Sequence, residues 1–367
     1  MKRGSISGGC VVKGKALGGL VALSLLLGLP ARNLAHEPAQ GTFTTIDFPG
    51  AAGTIVPPSF EVNINTEGQV VGCYFLVSGG MVHGFLLSHS SFTTIDFPGS
   101  IFTELGGINP PGDIVGNYID ATELRVHVLL LRQGTFSTID FPGAVGTFVG
   151  SINPAGDIAG GYFEADGFKH GFVLSHGAFS KVDFPGAIAT VALGINPEGQ
   201  IVGGYLDTDL NVHGFLLSEG SFSTFDFPGA VGSVFACGSS NCPGGTCPLG
   251  INPQGDIVGG YCGSDGNNHG FLLSKGNFNA IDFPGATFTF VNGITPEGDM
   301  AGGYQSADGI YHGFVLNNSG GGHKSAELLA PSQTSEGPKI APPENLRNLL
   351  LRRWRCGKLK PELLGPQ

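Results

Sequence analysis

Short apolar segments of six to eight residues alternate with turns rich in Gly, Pro, Asn and Asp along most of the chain. In one representative stretch this pattern predicts four β-strands, at residues 189–195, 201–206, 213–218 and 221–227. The turn at residues 196–199 (Asn-Pro-Glu-Gly) has the residue types of a type I turn. Residues 219–220 (Glu-Gly) fit a two-residue hairpin loop. The stretch therefore predicts a four-stranded antiparallel sheet.

The same unit occurs six times. The motif Asp-Phe-Pro-Gly begins at Asp47, Asp96, Asp140, Asp183, Asp226 and Asp282. A turn motif recurs at Asn65, Asn109, Asn153, Asn196, Asn252 and Thr295. A histidine, usually followed by Gly-Phe, recurs at His83, His127, His170, His213, His269 and His312. Three motifs in the same phase identify an internal repeat, with three of the five spacings at 43 or 44 residues.

Four antiparallel strands at this period are typical of a β-propeller blade. The array opens with a lone fourth strand at residues 42–48 and closes after a third strand at 312–316. Pairing these two ends removes both open sheet edges. We therefore predict an all-β, six-bladed β-propeller of four-stranded blades, closed by the N-terminal strand. An outer-membrane β-barrel, which needs longer strands with alternating faces, and an open β-solenoid are the alternatives.

The chain on either side of the repeats has a different composition. Four basic residues among the first 15 precede an apolar stretch at residues 16–31, which predicts a signal peptide over residues 1–35. A retained N-terminal anchor is the alternative. The repeats occupy residues 41–318, followed by a predicted flexible linker at 319–343. Residues 344–367 hold six basic and two acidic residues and form a basic tail. This tail contacts an anionic surface, folds back on the acidic repeats, or is weakly ordered.

Export would place the protein outside the cytoplasm, either secreted, periplasmic or at the cell surface, with no membrane span left after signal removal.

With 63 Gly and 24 Pro in 367 residues, the composition approaches that of disordered chains. However, 41% of the residues are hydrophobic and 27 are Phe, so a core can form. Residues 41–318 hold 24 acidic and five basic residues, which repel phosphates. We expect no nucleic-acid partner.

The motif Val-His-Gly-Phe-Leu-Leu at residues 212–217, preceded by Ile-Asn-Pro-Glu-Gly at 195–199, resembles the bacterial HAF extracellular repeat family. The His-Ala-Phe core of that family has Gly in place of Ala in five of the six copies here. The resemblance covers residues 42–316 and implies an exported protein with a repeat fold. It implies no established reaction and supplies no catalytic residues.

The hairpin between the third and fourth strands predicts a histidine–aspartate pair in each unit. In a two-residue hairpin, positions equidistant from the loop lie opposite each other, so His213 faces Asp226. The same rule predicts the pairs His83–Asp96, His127–Asp140, His170–Asp183, His269–Asp282 and His312–Asp47. Six identical copies favour a structural hydrogen bond, with metal ligands or acid–base dyads as the alternative. No motif identifies a metal or cofactor, and the sequence leaves a calcium requirement open.

A cluster of cysteines marks an insertion in the fifth unit. Cys237, Cys242 and Cys247 lie within or beside it, and Cys262 lies on the following strand. In an exported protein four local cysteines favour two disulfides, with three alternative connectivities. A zinc site is the other interpretation, although the spacing is unusual for zinc and no histidine lies inside the insertion.

The connections between second and third strands are polar, differ between units and lie on the same side as the Asp-Phe-Pro-Gly segments. Variable loops on a rigid scaffold commonly carry function. The candidate binding residues are Asp207, Asp209, Asn211, Asp265, Asn267 and Asn268. We expect a monomer whose variable loops or central channel bind an extracellular glycan or a cell-surface protein. Several similar shallow sites on the loops suit a multivalent partner.

Two other functions stay open. A polysaccharide-degrading enzyme would need unrepeated acids, such as Glu61 or Glu104, to point to the channel axis. A purely structural cell-envelope component would bind no small ligand. In the second unit Arg125 and Arg132 flank the third strand, which indicates either a local anion contact or sequence drift.

Overall fold

The computed structural model describes residues 41–54, 62–76, 81–231 and 244–318, which form strands and their connections. The predicted signal peptide, linker and tail lie outside the described residues, as do Glu61, Cys237 and Cys242. The array begins with β1 (Gly41–Ile46), which precedes the first repeat.

Each repeat contributes its strands in chain order. The first repeat contains β2 (Gly53–Thr54), β3 (Asn63–Ile64), β4 (Val70–Phe75), β5 (Val82–Ser88) and β6 (Ser91–Ile95). The second and third contain β7 (Ser100–Ile108), β8 (Ile114–Asp120), β9 (Val126–Arg132), β10 (Thr135–Ile139), β11 (Gly146–Ile152), β12 (Ile158–Phe163), β13 (Lys169–Ser175) and β14 (Ala178–Val182). The fourth and fifth contain β15 (Ala189–Ile195), β16 (Ile201–Leu206), β17 (Val212–Ser218), β18 (Ser221–Phe225), β19 (Thr246–Ile251), β20 (Ile257–Cys262), β21 (Asn268–Ser274) and β22 (Asn277–Ile281). The sixth contains β23 (Phe288–Ile294), β24 (Met300–Gln305) and β25 (Tyr311–Asn318).

Hydrogen bonds group these strands into sheets that follow the repeats. Repeats three, four and five each form a four-stranded sheet in chain order. In the first repeat β2 and β3 both pair with β4, where the other repeats have one first strand. A single parallel pair, Val82 with Phe102, joins the first two repeats into a nine-stranded sheet. The architecture is all-β and of the β-propeller class, as predicted.

The N-terminal strand completes the last sheet, which has the order β1-β25-β24-β23. β1 and β25 pair antiparallel, from Gly41 opposite Asn318 to Ile46 opposite Gly313. The closure predicted from the two ends of the array is therefore confirmed. It pairs a strand edge of the sixth repeat that would otherwise be a template for another chain.

The hairpins between third and fourth strands have the predicted two-residue loops. In the fourth repeat both loop residues have left-handed backbone, with φ of 51° at Glu219 and 75° at Gly220. Such a loop suits the twist of the two strands and fixes their register. This register places the histidine–aspartate pairs at the start of the third strand.

The first strands of neighbouring repeats contact one another in a closed sequence, β3, β7, β11, β15, β19, β23 and again β3. Register shifts mark a β-bulge in five of them, at Gly106, Gly150, Leu193, Leu249 and Asn292. A bulge takes one side chain out of the regular alternation between the two sheet faces. Among these residues, Leu249 and Asn292 line a pocket at the centre of the ring.

The core of the sheets combines aliphatic side chains with third-strand aromatic rings. The Phe of His-Gly-Phe is fully buried in five repeats, as Phe85, Phe172, Phe215, Phe271 and Phe314. Second-strand glycines make room for further rings: a β-carbon at Gly161 would lie 2.2 Å from the ring of Phe148. Close packing of this kind explains much of the high glycine content.

Candidate functional site

The strand ends form two faces, at opposite ends of each antiparallel sheet. We call them the loop face, which carries the Asp-Phe-Pro-Gly segments and the second-to-third strand connections, and the turn face. The turn face carries the Asn-Pro-x-Gly turns and the hairpins between third and fourth strands.

All six histidine–aspartate pairs lie within hydrogen-bond distance on the loop face. The distance from histidine Nδ1 to a carboxylate oxygen is between 2.8 and 3.0 Å in the pairs of His83, His127, His170, His213, His269 and His312. The last of these joins β25 to Asp47, which follows β1, over a separation of 265 residues. The pairs therefore fasten third strands to fourth strands, and in one case the two ends of the array.

Each of these histidines also belongs to a stack of three rings, which the repeat motifs above did not predict. The tyrosine of the second strand stacks on the histidine, with ring centroids 5.3 Å apart for Tyr74 and His83. The opposite side of the tyrosine ring stacks on the Phe of the preceding Asp-Phe-Pro-Gly segment, with ring centroids 3.6 Å apart for Tyr74 and Phe48. The stacked tyrosines are Tyr74, Tyr118, Tyr162, Tyr205, Tyr261 and Tyr304.

This stack connects neighbouring repeats. The tyrosine and the histidine belong to one repeat, and the phenylalanine belongs to the segment that precedes it. The series closes through Asp47, which pairs with His312, and its neighbour Phe48. The signal in the sequence is a tyrosine eight or nine residues before each motif histidine. Rings enclosed on both sides in this way stabilise the fold.

In the fourth repeat the connecting loop folds onto the histidine. Asp207 accepts hydrogen bonds from the backbone N–H groups of Asp209 and Asn211, at 2.9 and 2.8 Å, and lies 3.2 Å from Nε2 of His213. Burial opposes ionisation of Asp207, but these hydrogen bonds outweigh it and lower its pKa. Burial likewise opposes the charged form of His213, yet the bonds to Asp226 and Asp207 raise its pKa.

The fifth repeat has a similar arrangement, but its carboxylate comes from Asp265, four residues before the histidine rather than six. Asp265 accepts hydrogen bonds from the backbone and side chain of Asn267, and the backbone bond is the main reason why its pKa falls to about 2. Hydrogen bonding to Asp282, reinforced by Asp265, raises the pKa of His269 to about 9 despite its burial. Of the predicted binding residues in this loop, Asp265 and Asn267 are exposed, whereas Asn268 is only 3% exposed.

In the second repeat the equivalent loop brings three side chains with metal-ligand atoms together. Asp120, Glu123 and His127 place one such atom each within 4.8 Å of one another. Nε2 of His127 lies 3.4 Å from Asp120. Hydrogen bonds from the Thr122 side chain and the Glu123 backbone hold the pKa of Asp120 well below its usual range. These three residues could bind a divalent cation, which no sequence motif indicated.

The two arginines of this repeat make internal contacts. Arg125 donates from Nη2 to the carbonyl of Ala144 at 2.5 Å, and Arg132 forms an ion pair with Asp113 at 2.8 Å. Both contacts hold loops of the second repeat in place. Neither arginine therefore offers support for a local anion site.

The described cysteines of the fifth repeat lie on adjacent strands. Cys247 is opposite Gly260, whereas the backbone N–H of Cys262 bonds to Gly245, so the two cysteines are two positions out of register. The predicted disulfides also involve Cys237 and Cys242, which lie outside the described residues. The two disulfides stay a prediction.

On the turn face, buried asparagines link the repeats. The side-chain amide of each donates to the backbone carbonyl of the equivalent residue in the next repeat. The five links, at 3.2 to 3.4 Å, run Asn65–Asn109, Asn109–Asn153, Asn153–Asn196, Asn196–Asn252 and Asn252–Thr295. Thr295 has no side-chain amide, so in the described part of the chain the link back to Asn65 is missing.

Equivalent turn residues from all six repeats line a central pocket of about 120 Å³ inside this ring. Glu104, predicted to face the axis in an enzyme, does not line it. It is fully buried on β7 and accepts a hydrogen bond from Asn117 at 2.7 Å. Asn117 in turn accepts one from the backbone of Val149 in the third repeat. Glu104 thus lies between repeats, because its position on the strand faces the neighbouring sheet.

The loop face holds most of the carboxylates. Its acidic residues are Asp47, Asp96, Asp120, Glu123, Asp140, Glu164, Asp166, Asp183, Asp207, Asp209, Asp226, Asp265, Asp282 and Asp308. Its basic residues other than histidine are Arg125, Lys169 and Lys181. This face therefore carries a strongly negative potential.

No protein-family model and no curated protein matches the sequence. The described residues contain no helix long and apolar enough to cross a membrane. Among solved structures, the chain is similar to a fungal six-bladed β-propeller lectin from Aleuria aurantia, with 15% identity over 72% of this chain and 95% of that one, and a TM-score of 0.45. It is also similar to TolB from Acinetobacter baumannii (15% identity, 69% and 64% coverage, TM-score 0.45). A sialidase from Trypanosoma rangeli shares 9% identity over 76% of this chain and 60% of that one, with a TM-score of 0.46.

Proposed function

We propose that this chain is an exported, six-bladed β-propeller that acts as an extracellular binding or adhesion module, and that its loop face binds a glycan. The observation that carries the proposal is the concentration of ordered, polar connections and carboxylates on that one face. Carboxylate oxygens accept hydrogen bonds from sugar hydroxyl groups. A partner with several similar units would contact more than one loop at once.

The loops are organised for recognition by their own hydrogen bonds. Asp207 and Asp265 each bond to their loop and to a histidine, so these two carboxylates fix loop shape. The exposed residues Asp209 and Asn267 then take the role of contacting the partner. Loops ordered before binding lose less conformational entropy when they bind.

We favour a binding function over polysaccharide cleavage. A glycosidase of the usual kind needs two carboxyl groups at the substrate, and Glu104, one of the two acids proposed for that role, is buried between repeats. The other, Glu61, lies outside the described residues. We propose no catalytic residue and no required cofactor, and a monomer as the functional form.

The test is binding of the full mature chain to a glycan array, with and without added calcium. We expect selective binding, and weaker binding by the variants Asp209→Asn and Asn267→Ala. Glu198→Gln is the matched control, because Glu198 is exposed on the turn face. Absence of glycan binding by folded protein would refute the proposal and favour a protein partner or a structural role. An equal loss in the Glu198→Gln variant would place the site elsewhere.

A further inference from the structure

One break in the repeat symmetry lies between the sixth and first repeats on the turn face. In the other repeats the backbone carbonyl of the first turn residue (Asn or Thr295) accepts two hydrogen bonds. One comes from the glycine of the same turn, and the other comes from the asparagine side chain of the preceding repeat. The Asn65 carbonyl accepts from Gly68 at 3.1 Å. Because Thr295 carries no amide, no described residue of the sixth repeat supplies the second donor. One acceptor therefore has spare capacity at this position.

A second acceptor lies on the adjacent strand. Asn292 is the bulge residue of β23, at the position where other repeats have Gly106, Gly150, Leu193 or Leu249. It is 7% exposed, and its Oδ1 has no hydrogen-bond partner among the described residues. A buried acceptor without a donor is uncommon and destabilising, so it requires an explanation.

Both acceptors belong to the wall of the central pocket. Asn292 lies on β23, and Asn65 directly follows β3, which contacts β23. The remaining wall includes apolar side chains, such as Ile108, Leu249 and Pro253. The volume of about 120 Å³ is close to that of cavities that take a molecule of about six heavy atoms. The pocket thus suits a small ligand with an apolar body and an end that donates hydrogen bonds.

Charge around the pocket selects the kind of donor. The Asn-Pro-x-Gly turns carry Glu67, Asp113, Asp157, Glu198, Asp256, Glu297 and Asp299. Of these carboxylates, Asp113 forms an ion pair with Arg132, and Asp299 accepts a hydrogen bond from the backbone of Asn318. A ring of like charge around a concave, low-dielectric site raises the local concentration of the opposite charge.

We propose that the central pocket on the turn face binds a small primary alkylammonium ion. The ammonium group donates hydrogen bonds to Asn292 Oδ1 and the Asn65 carbonyl, and the alkyl group packs against Leu249 and Ile108. This site lies at the opposite end of the sheets from the proposed glycan-binding loops and goes beyond that function. Its test can fail without affecting the glycan proposal, and the reverse also holds.

Calorimetric titration of the full-length protein with isobutylammonium tests the proposal. Isobutanol, which keeps a donor but not the charge, and tetramethylammonium, which keeps the charge but has no N–H group, are the comparison probes. We expect isobutylammonium to bind at least about 10-fold more tightly than either, because hydrogen bonds from charged donors are worth that factor or more. The variant Asn292→Leu introduces the residue that the fifth repeat has at this position, and it should weaken isobutylammonium binding by about 10-fold or more. The variant Asp209→Asn, on the loop face, should leave isobutylammonium binding unchanged.

Three results would overturn the proposal: no binding of isobutylammonium, equal binding of all three probes, or unchanged binding by the Asn292→Leu variant. Leucine at this position also fills space, so Asn292→Gly, with the residue of the second and third repeats, is the second variant. It enlarges the pocket while removing the acceptor, and it should lose affinity as well. Circular dichroism confirms that each variant is folded before titration.

Discussion

Replacement of His269 by glutamine measures how much a histidine–aspartate pair stabilises this fold. His269 lies between two carboxylates, with Nδ1 3.0 Å from Asp282 and Nε2 3.2 Å from Asp265. Hydrogen bonding to Asp282 is the main reason why the pKa of His269 rises from 6.5 to about 9. A raised histidine pKa stabilises the folded state fully below pH 6.5, and this contribution is lost as the pH rises through 9. The contribution of His269 should therefore decline between pH 6.5 and 9.

The size of the effect follows from the shift and from solvent exposure. One pKa unit corresponds to about 1.4 kcal/mol, so the whole shift would stabilise the folded state by about 3 kcal/mol. The side chain of His269 is 24% exposed and that of Asp282 is 46% exposed, so solvent screens the pair. We therefore expect about 1–2 kcal/mol of stabilisation at pH 6.

Denaturant unfolding of the wild-type protein and the His269→Gln variant, at pH 6 and at pH 9.5, tests this reasoning. The variant should be less stable at pH 6 and nearly equal at pH 9.5, where both side chains are neutral. His170→Gln is the matched control for the loss of one stacked ring and one histidine–aspartate hydrogen bond, since His170 bonds to Asp183 in the equivalent pair. A destabilisation of His269→Gln that is equal at both pH values, or larger at pH 9.5, would refute the account.

Three further predictions concern packing and closure. Gly161→Ala should destabilise the fold by about 2 kcal/mol in thermal unfolding, because the new β-carbon would lie 2.2 Å from the Phe148 ring. Gly204→Ala at the equivalent position, where the nearest atom is 3.7 Å away, should have little effect, and equal losses would contradict this reasoning. Thr295→Asn should complete the ring of asparagines and raise stability by about 1 kcal/mol, seen as a higher Tm; an unchanged Tm would contradict it. Deletion of β1 should leave β25 unpaired and cause association detectable by size-exclusion chromatography, whereas a stable monomer would contradict it.

Much of the fold could be predicted from the sequence, because the physical rules involved are local and are applied six times. The two-residue hairpin at residues 219–220 sets the strand register, and the register alone places His213 opposite Asp226. The pairing of β1 with β25 followed from counting strands at the two ends of the array. The fourth strand of that repeat ends at Phe225, two residues earlier than predicted, because the following Asp-Phe-Pro-Gly segment turns towards the next repeat.

Other features could not be predicted, because they depend on contacts between repeats. A tyrosine such as Tyr74 stacks on a phenylalanine from the preceding repeat, and no rule of strand alternation gives that partner. The position of Asn292 Oδ1 at the central pocket depends on a β-bulge. A bulge changes the direction of one side chain, and this one has no distinctive sequence signal. Glu104 could be placed on a first strand, but strand assignment alone did not tell whether it faced the axis or the neighbouring sheet.

The pairing of β1 with β25 also determines the order of folding events during synthesis. His312, the partner of Asp47, is added to the growing chain 265 residues later. At a synthesis rate of about 5–20 residues per second, roughly 13 to 50 s pass between the synthesis of β1 and the synthesis of its partner strand β25. During that interval its sequence, Gly-Thr-Phe-Thr-Thr-Ile, exposes mainly small and hydroxyl-bearing side chains, which limits premature association with other strands. The ring can therefore close only when the last repeat has been made.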